Sequence, residues 1–256
     1  MRSQTSHSSS SSTAELSRFL VELANKTDLR LLELAHYRLA DTIAVMIFGS
    51  RLPWARAVTD HALSLDSKGK STVVGNPAVS VNPVMAALAN GTSAHAFELD
   101  DVHEEAINHP GAVVVPVALA LAEDLNRSGR ELLEAIVIGY EAMGRAGIAV
   151  GPASHMLSGF HPTSMSGVFG AAAAAGRLLN FDEIQLNHAF GIASSMASGT
   201  MEFVASGGMT KRLHAGRAAE GGLTAALLAA RGFEGPEDGL AGRYGFCRIF
   251  SDEPQP

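Results

Sequence analysis

The chain has 256 residues, 46% hydrophobic and 18% charged, with a formal net charge of −7. It is long enough to bury one large core or two modest ones, too apolar for a disordered protein, and too acidic for a general nucleic-acid binder, which carries a basic face. The single cysteine, Cys247, excludes an intrachain disulfide and a cysteine-based metal cluster, and suits a reducing, cytoplasmic setting.

Residues 1–13 hold a serine run and no acidic residue, and read as a disordered tail before a helical domain over 14–250. Leu29, Leu32, Leu39, Ile43 and Ile47 predict a long, largely buried helix ending near Gly49. Pro53 opens the next helix, and Ser71–Gly75 forms an isolated strand candidate. Asn82-Pro83 starts a helix running toward Phe97, and the acidic, histidine-bearing segment Glu98–Gly111 leaves it as a loop. Pro110 or Pro116 begins the following helix, which reaches Leu125. Further helices are expected over 131–150, 162–179, 182–198 and 213–231, with Asp182 as an N-cap and Asn180 and Gly232 at exits. The class is all-α, a multi-helix bundle. The apolar run Ala112–Ala122 is broken by Pro116 and falls short of the ~20 residues that span a bilayer, so no membrane segment is expected.

Three segments carry candidate chemistry. In the first, His95, Glu98, Asp100, Asp101, His103 and His109 concentrate carboxylates and imidazoles. Such a set could ligate a divalent metal, form a metal-free network in which carboxylates orient the imidazoles, or be an acidic loop with Asp100 or Asp101 capping a helix. In the second, His161 precedes the helix-opening Pro162, which stiffens its backbone. In the third, Gly208-Met209-Thr210-Lys211-Arg212-Leu213-His214-Ala215-Gly216 sets cations at a helix N-terminus, where glycines and free N–H groups favour an anion. Together they suggest acid–base work on a small anionic substrate. No GxxxxGK[ST] or Gly-x-Ser-x-Gly motif occurs, and no strand precedes the glycine-rich helices, so P-loop, α/β-hydrolase and dinucleotide folds are unsupported.

The run Asn90–Asp101 with His109-Pro110-Gly111, then Gly159–Thr163, then Gly208–Gly216, resembles the MmgE/PrpD family. That family includes 2-methylcitrate dehydratase, cis-aconitate decarboxylase and iminodisuccinate epimerase. The resemblance implies a large helical domain, a homodimer, and cofactor-independent, metal-free lyase or isomerase chemistry on a small polycarboxylate. His109, His161 and Lys211 match family catalytic positions. Glu98 falls where aspartate is frequent, Asp100 and Asp101 fall on the acidic motif, and Arg212 and His214 join them as substrate-binding candidates. Val102 stands where some decarboxylases carry a small hydroxyl residue. Family members continue into an α+β lid domain, which this chain is expected to lack, residues 251–256 being a truncated connection to it.

The leading expectation is a hydro-lyase resembling 2-methylcitrate dehydratase. Lys211 and Arg212 would hold a carboxylate, one of His109 and His161 would remove a proton, and the other would protonate the leaving hydroxyl. Decarboxylase or epimerase chemistry, a catalytically incomplete dimerisation module, and a metal-dependent hydrolase on Asp100, Asp101, His103 and His109 are the alternatives.

Overall fold

Small polar side chains decide where the helices begin. Ser11, Asp28 and Asn82 accept hydrogen bonds from the backbone N–H groups of Ala14, Leu31 and Met85, and so open α1 (Ser12–Ala24), α2 (Leu29–Gly49) and α4 (Pro83–Ala94). Reciprocal capping boxes, Ser128 with Glu131 and Asp182 with Gln185, open α6 (Gly129–Ala149) and α8 (Glu183–Ser194). Proline in the first turn starts α3 (Pro53–Ser64) and α7 (Pro162–Leu178). The remaining helices are α5 (Gly111–Leu125), α9 (Glu202–Ser206), α10 (Thr210–Ala229) and α11 (Phe246–Phe250). This computed structural model describes residues 11–65, 68–151 and 158–255.

The class is all-α, as the periodicity indicates. The described strands, β1 (Ser71–Thr72) and β2 (Ser80–Val81), form one short antiparallel ribbon with Ser71 opposite Val81. The strand candidate over 71–75 is therefore shorter than expected, and its partner was not foreseen because two residues show no alternation. Other boundaries move by a turn or less: α4 stops at Ala94, and α10 starts at Thr210. Pro110 ends up as the N-cap of α5, while Pro116 lies inside it. The expected tail over 1–13 overlaps α1, whose Thr13 is buried and donates its hydroxyl to Asp238; residues 1–10 lie outside the described residues.

The core forms around α7, which is buried along nearly its whole length and packs against α5, α6, α8 and α10. Its run Ala171–Ala175 carries only methyl groups, so neighbouring helices approach closely. The site depends on one such crossing. Gly91 of α4 meets Gly216 of α10, and a Cβ on Gly216 would collide with the carbonyl oxygen of Leu88. One turn beyond Gly91, His95 caps the end of α4; before Gly216, the first turns of α10 carry Lys211 and His214. Among the described residues no helix is long and apolar enough to cross a membrane.

Candidate active site

The loop after α4 sorts its acidic side chains to opposite sides. Glu98 adopts a left-handed φ of 56°, and beyond it Asp100 is buried among imidazoles. Asp101 faces the other way. It accepts hydrogen bonds from the N–H of Gly111 and the hydroxyl of Tyr140, each at 2.9 Å, with Arg38 at 3.8 Å. Asp101 thus caps the start of α5 and is not brought to the imidazoles. Burial, reinforced by Asp100, raises its proton affinity above the ordinary carboxylate value.

Asp100 holds two histidines. Its Oδ2 accepts from His95 Nδ1 at 2.8 Å and lies 3.3 Å from His109 Nδ1, with His95 and Asp100 both buried. Burial alone would raise the Asp100 carboxyl, but His109 and His95 outweigh it and hold the group well below the usual carboxylate range. For His109, burial disfavours the cation, yet the Asp100 carboxylate 3.3 Å away prevails, so its proton affinity lies above the ordinary histidine value. The backbone N–H of His109 donates to Thr163 Oγ1 at 3.2 Å, fixing this residue to the first turn of α7.

His161 lies on the other side of His95, with ring centroids 5.7 Å apart, against 4.8 Å between His95 and His109. Its backbone is held by an N–H bond of 2.9 Å to the carbonyl of Gly199. His161 is buried, and burial, reinforced by the positive fields of His95, His214, Lys211 and His109, drives it down to about 2. His214 is lowered as well, by burial and by His95. The Nδ1 atoms of these two rings face each other at 3.2 Å. Two neutral imidazoles can do this only if one donates and the other accepts, so the pair holds opposite tautomers. Phe203 lies against both rings.

The open end of the cluster is charged. Lys211 Nζ lies 2.5 Å from Glu98 Oε2, and Arg212 reaches the other oxygen at 3.8 Å while covering the Trp54 ring. Burial would raise the Glu98 carboxyl, but the hydrogen bond and charge of Lys211, with His95 and Arg212, leave it below its ordinary value. Phe97, Leu99, Val102 and Met209 are exposed.

The structure therefore brings Glu98, Asp100, His109, His161, Lys211, Arg212 and His214 together and leaves Asp101 outside. His103 is also outside: it pairs with Asn108 in an isolated bridge and its ring rests on Gly144. The metal set Asp100, Asp101, His103 and His109 is consequently not assembled. Among the described residues the His95, Asp100 and His109 donor atoms lie within 4.8 Å of one another, with both rings directed at one Asp100 oxygen. His95, one of the imidazoles of the first segment, has no role of its own in the motifs. Its signal was a histidine ending a helix whose residues Ala86–Ala94 are all buried, five positions before an aspartate.

An all-α scaffold thus presents a cluster of imidazoles around Asp100 beside a lysine–arginine pair. The chain belongs to the MmgE/PrpD family: residues 14–256 match the MmgE/PrpD N-terminal domain. A cis-aconitate decarboxylase of Aspergillus terreus is 33% identical over 257 aligned positions, covering 98% of this chain and 52% of that protein. Human cis-aconitate decarboxylase is 33% identical over 236 positions, covering 91% of this chain and 48% of that protein. The cis-aconitate decarboxylase-like protein oryM of Aspergillus oryzae is 33% identical over 248 positions, with coverage of 93% and 51%. The chain spans about half the length of the curated relatives it matches.

Proposed function

We propose that this site serves cofactor-independent decarboxylation of a small unsaturated tricarboxylate of the cis-aconitate type. The observation that carries the reading is the Lys211–Arg212 pair at the open end of a histidine cluster in which Asp100, 3.3 Å from His109, favours its proton while buried His161, on the other side of His95, rejects one. Lys211 and Arg212 hold a substrate carboxylate. The carbon–carbon bond to the leaving carboxylate breaks, carbon dioxide departs, and the electron pair enters an allylic carbanion stabilised by the adjoining carboxylate. The His109 imidazolium then donates its Nε2 proton to carbon, and solvent restores it. Lysine and arginine are worth most as this negative charge spreads. His161 and His214, kept neutral, line the site without offering a competing cation.

This reading replaces the dehydratase as the leading one. The same two imidazoles could remove a proton and protonate a hydroxyl, but the relatives named above are decarboxylases, and that favours loss of carbon dioxide. The homodimer implied by the family resemblance belongs to this proposal too. Proton NMR of the purified chain with cis-aconitate and, separately, 2-methylcitrate tests it. Vinyl protons of itaconate from cis-aconitate, absent with Lys211→Ala, are expected. Olefinic product from 2-methylcitrate alone would return the assignment to the dehydratase, and neither binding nor turnover of either acid would overturn the polycarboxylate reading.

A further inference from the structure

His95 caps the end of α4, is wholly buried, and lies between the two histidines assigned above. Its Nδ1 must carry the hydrogen of the 2.8 Å bond, because the Asp100 carboxylate oxygen only accepts. His109 approaches that same oxygen at 3.3 Å, and its Nδ1 makes no well-directed hydrogen bond. The shorter bond belongs to the residue with no part in the chemistry. Asp100 Oδ1, also buried, has no hydrogen-bond partner among the described residues, so the whole hydrogen-bonding capacity in use sits on the shared oxygen. A donor on a carboxylate oxygen stabilises its negative charge and leaves less of it to attract a second donor at the same oxygen.

We propose that His95 is a positioning residue for proton donation: by holding the Asp100 oxygen, it weakens the grip of that carboxylate on the His109 proton and keeps His109 a usable acid. The proposal rests on the reading of His109 as the donor. Without His95 the carboxylate is free to close on His109 as its sole partner, and the imidazolium becomes harder to deprotonate. The groups facing His109 are Asp100 and His95 in contact, Lys211 and Asp101 through their fields, and Thr163 at its backbone. Of these, His95 alone competes with His109 for the Asp100 oxygen.

The test needs no turnover. The chain is labelled with nitrogen-15 in histidine, and the His109 ring is titrated by NMR without substrate, its signals identified by their loss in His109→Gln. His95→Asn keeps an amide N–H close to the position of Nδ1 and should leave the His109 midpoint within about 0.3 unit, whereas His95→Gln moves the donor to the Nε2 position and should raise it by about one unit, a tenfold gain in proton affinity. An unchanged or lowered midpoint in the Gln variant would overturn the proposal, since the carboxylate would then be indifferent to His95 or would itself take a proton. Equal shifts in both variants would also overturn it, because donor position would not matter. If the titration behaves as expected while cis-aconitate is not converted, the decarboxylase reading fails and the role of His95 toward His109 stands.

Discussion

Glu98 occupies the lysine that the proposed substrate needs. Its carboxylate lies 2.5 Å from Lys211 Nζ and 3.8 Å from Arg212, so an incoming carboxylate must displace an internal one. Glu98→Gln preserves shape and removes the charge. The side chains of Glu98 and Lys211 are 37% and 22% exposed, which screens the pair to about 1 kcal/mol. Removing a negative charge from beside a polyanion adds about 1 kcal/mol at a water-like dielectric. Together these amount to about 2 kcal/mol, or roughly thirtyfold tighter binding. Isothermal titration calorimetry with tricarballylate, a saturated tricarboxylate that cannot follow the proposed decarboxylation, would measure the dissociation constant of each protein. The difference should shrink in 0.5 M salt, as screened charges do. Unchanged or weaker binding by Glu98→Gln would refute the reasoning and make Glu98 a group that holds substrate.

Lys211→Ala should reduce kcat/KM for cis-aconitate by roughly 100-fold or more in a continuous itaconate assay, since it removes charge stabilisation as the carbanion forms. Turnover should fall as pH rises through the elevated His109 value, because the donor is then empty; a pH–rate profile rising through that range would contradict the assignment. Stability should fall in acid. His161 and His214 resist protons in the folded chain, so below about pH 6.5 the unfolded chain binds more, and the His161 contribution lost by pH 5 is about 2 kcal/mol. His109 acts oppositely: its contribution is present below that pH and fades as pH rises through its folded value. Urea midpoints at pH 7 and pH 5 measure the net of two lowered groups against one raised. Gly216→Val should destabilise the chain by about 3 kcal/mol in urea unfolding, because its side chain meets the Leu88 carbonyl and Thr92 on a crossing that has no room to open.

The helices were legible because their signals are local. Asp182, Asn82-Pro83 and Pro162 act within one turn of themselves, and each starts a helix where its chemistry says it should. Lys211, His161 and His109 were legible through motif resemblance, and the structure draws them together. The direction of neighbouring carboxylates was not legible. Asp100 and Asp101 are the same residue type one position apart, and only the path of the loop decides which meets imidazoles and which meets the N–H of Gly111. His95 stood among the candidates without a role of its own because its ring contacts come from two other segments, and β2 escaped because its pairing needs β1 in place.

The back-to-back aspartates have a consequence for redesign. Asp101 ties the loop to the first turn of α5, and Asp100 ties it to the histidines, so the single peptide bond between them spans the boundary between scaffold and chemistry. Inserting a residue there would turn one carboxylate away from its partners whichever way the chain relaxed. Lengthening the stretch near Glu104 and Glu105, where the side chains are exposed, would leave both ties in place. Insertion scanning across this loop should therefore give a sharp intolerant notch at 100–101 flanked by permissive positions, a spacing rule written by backbone parity.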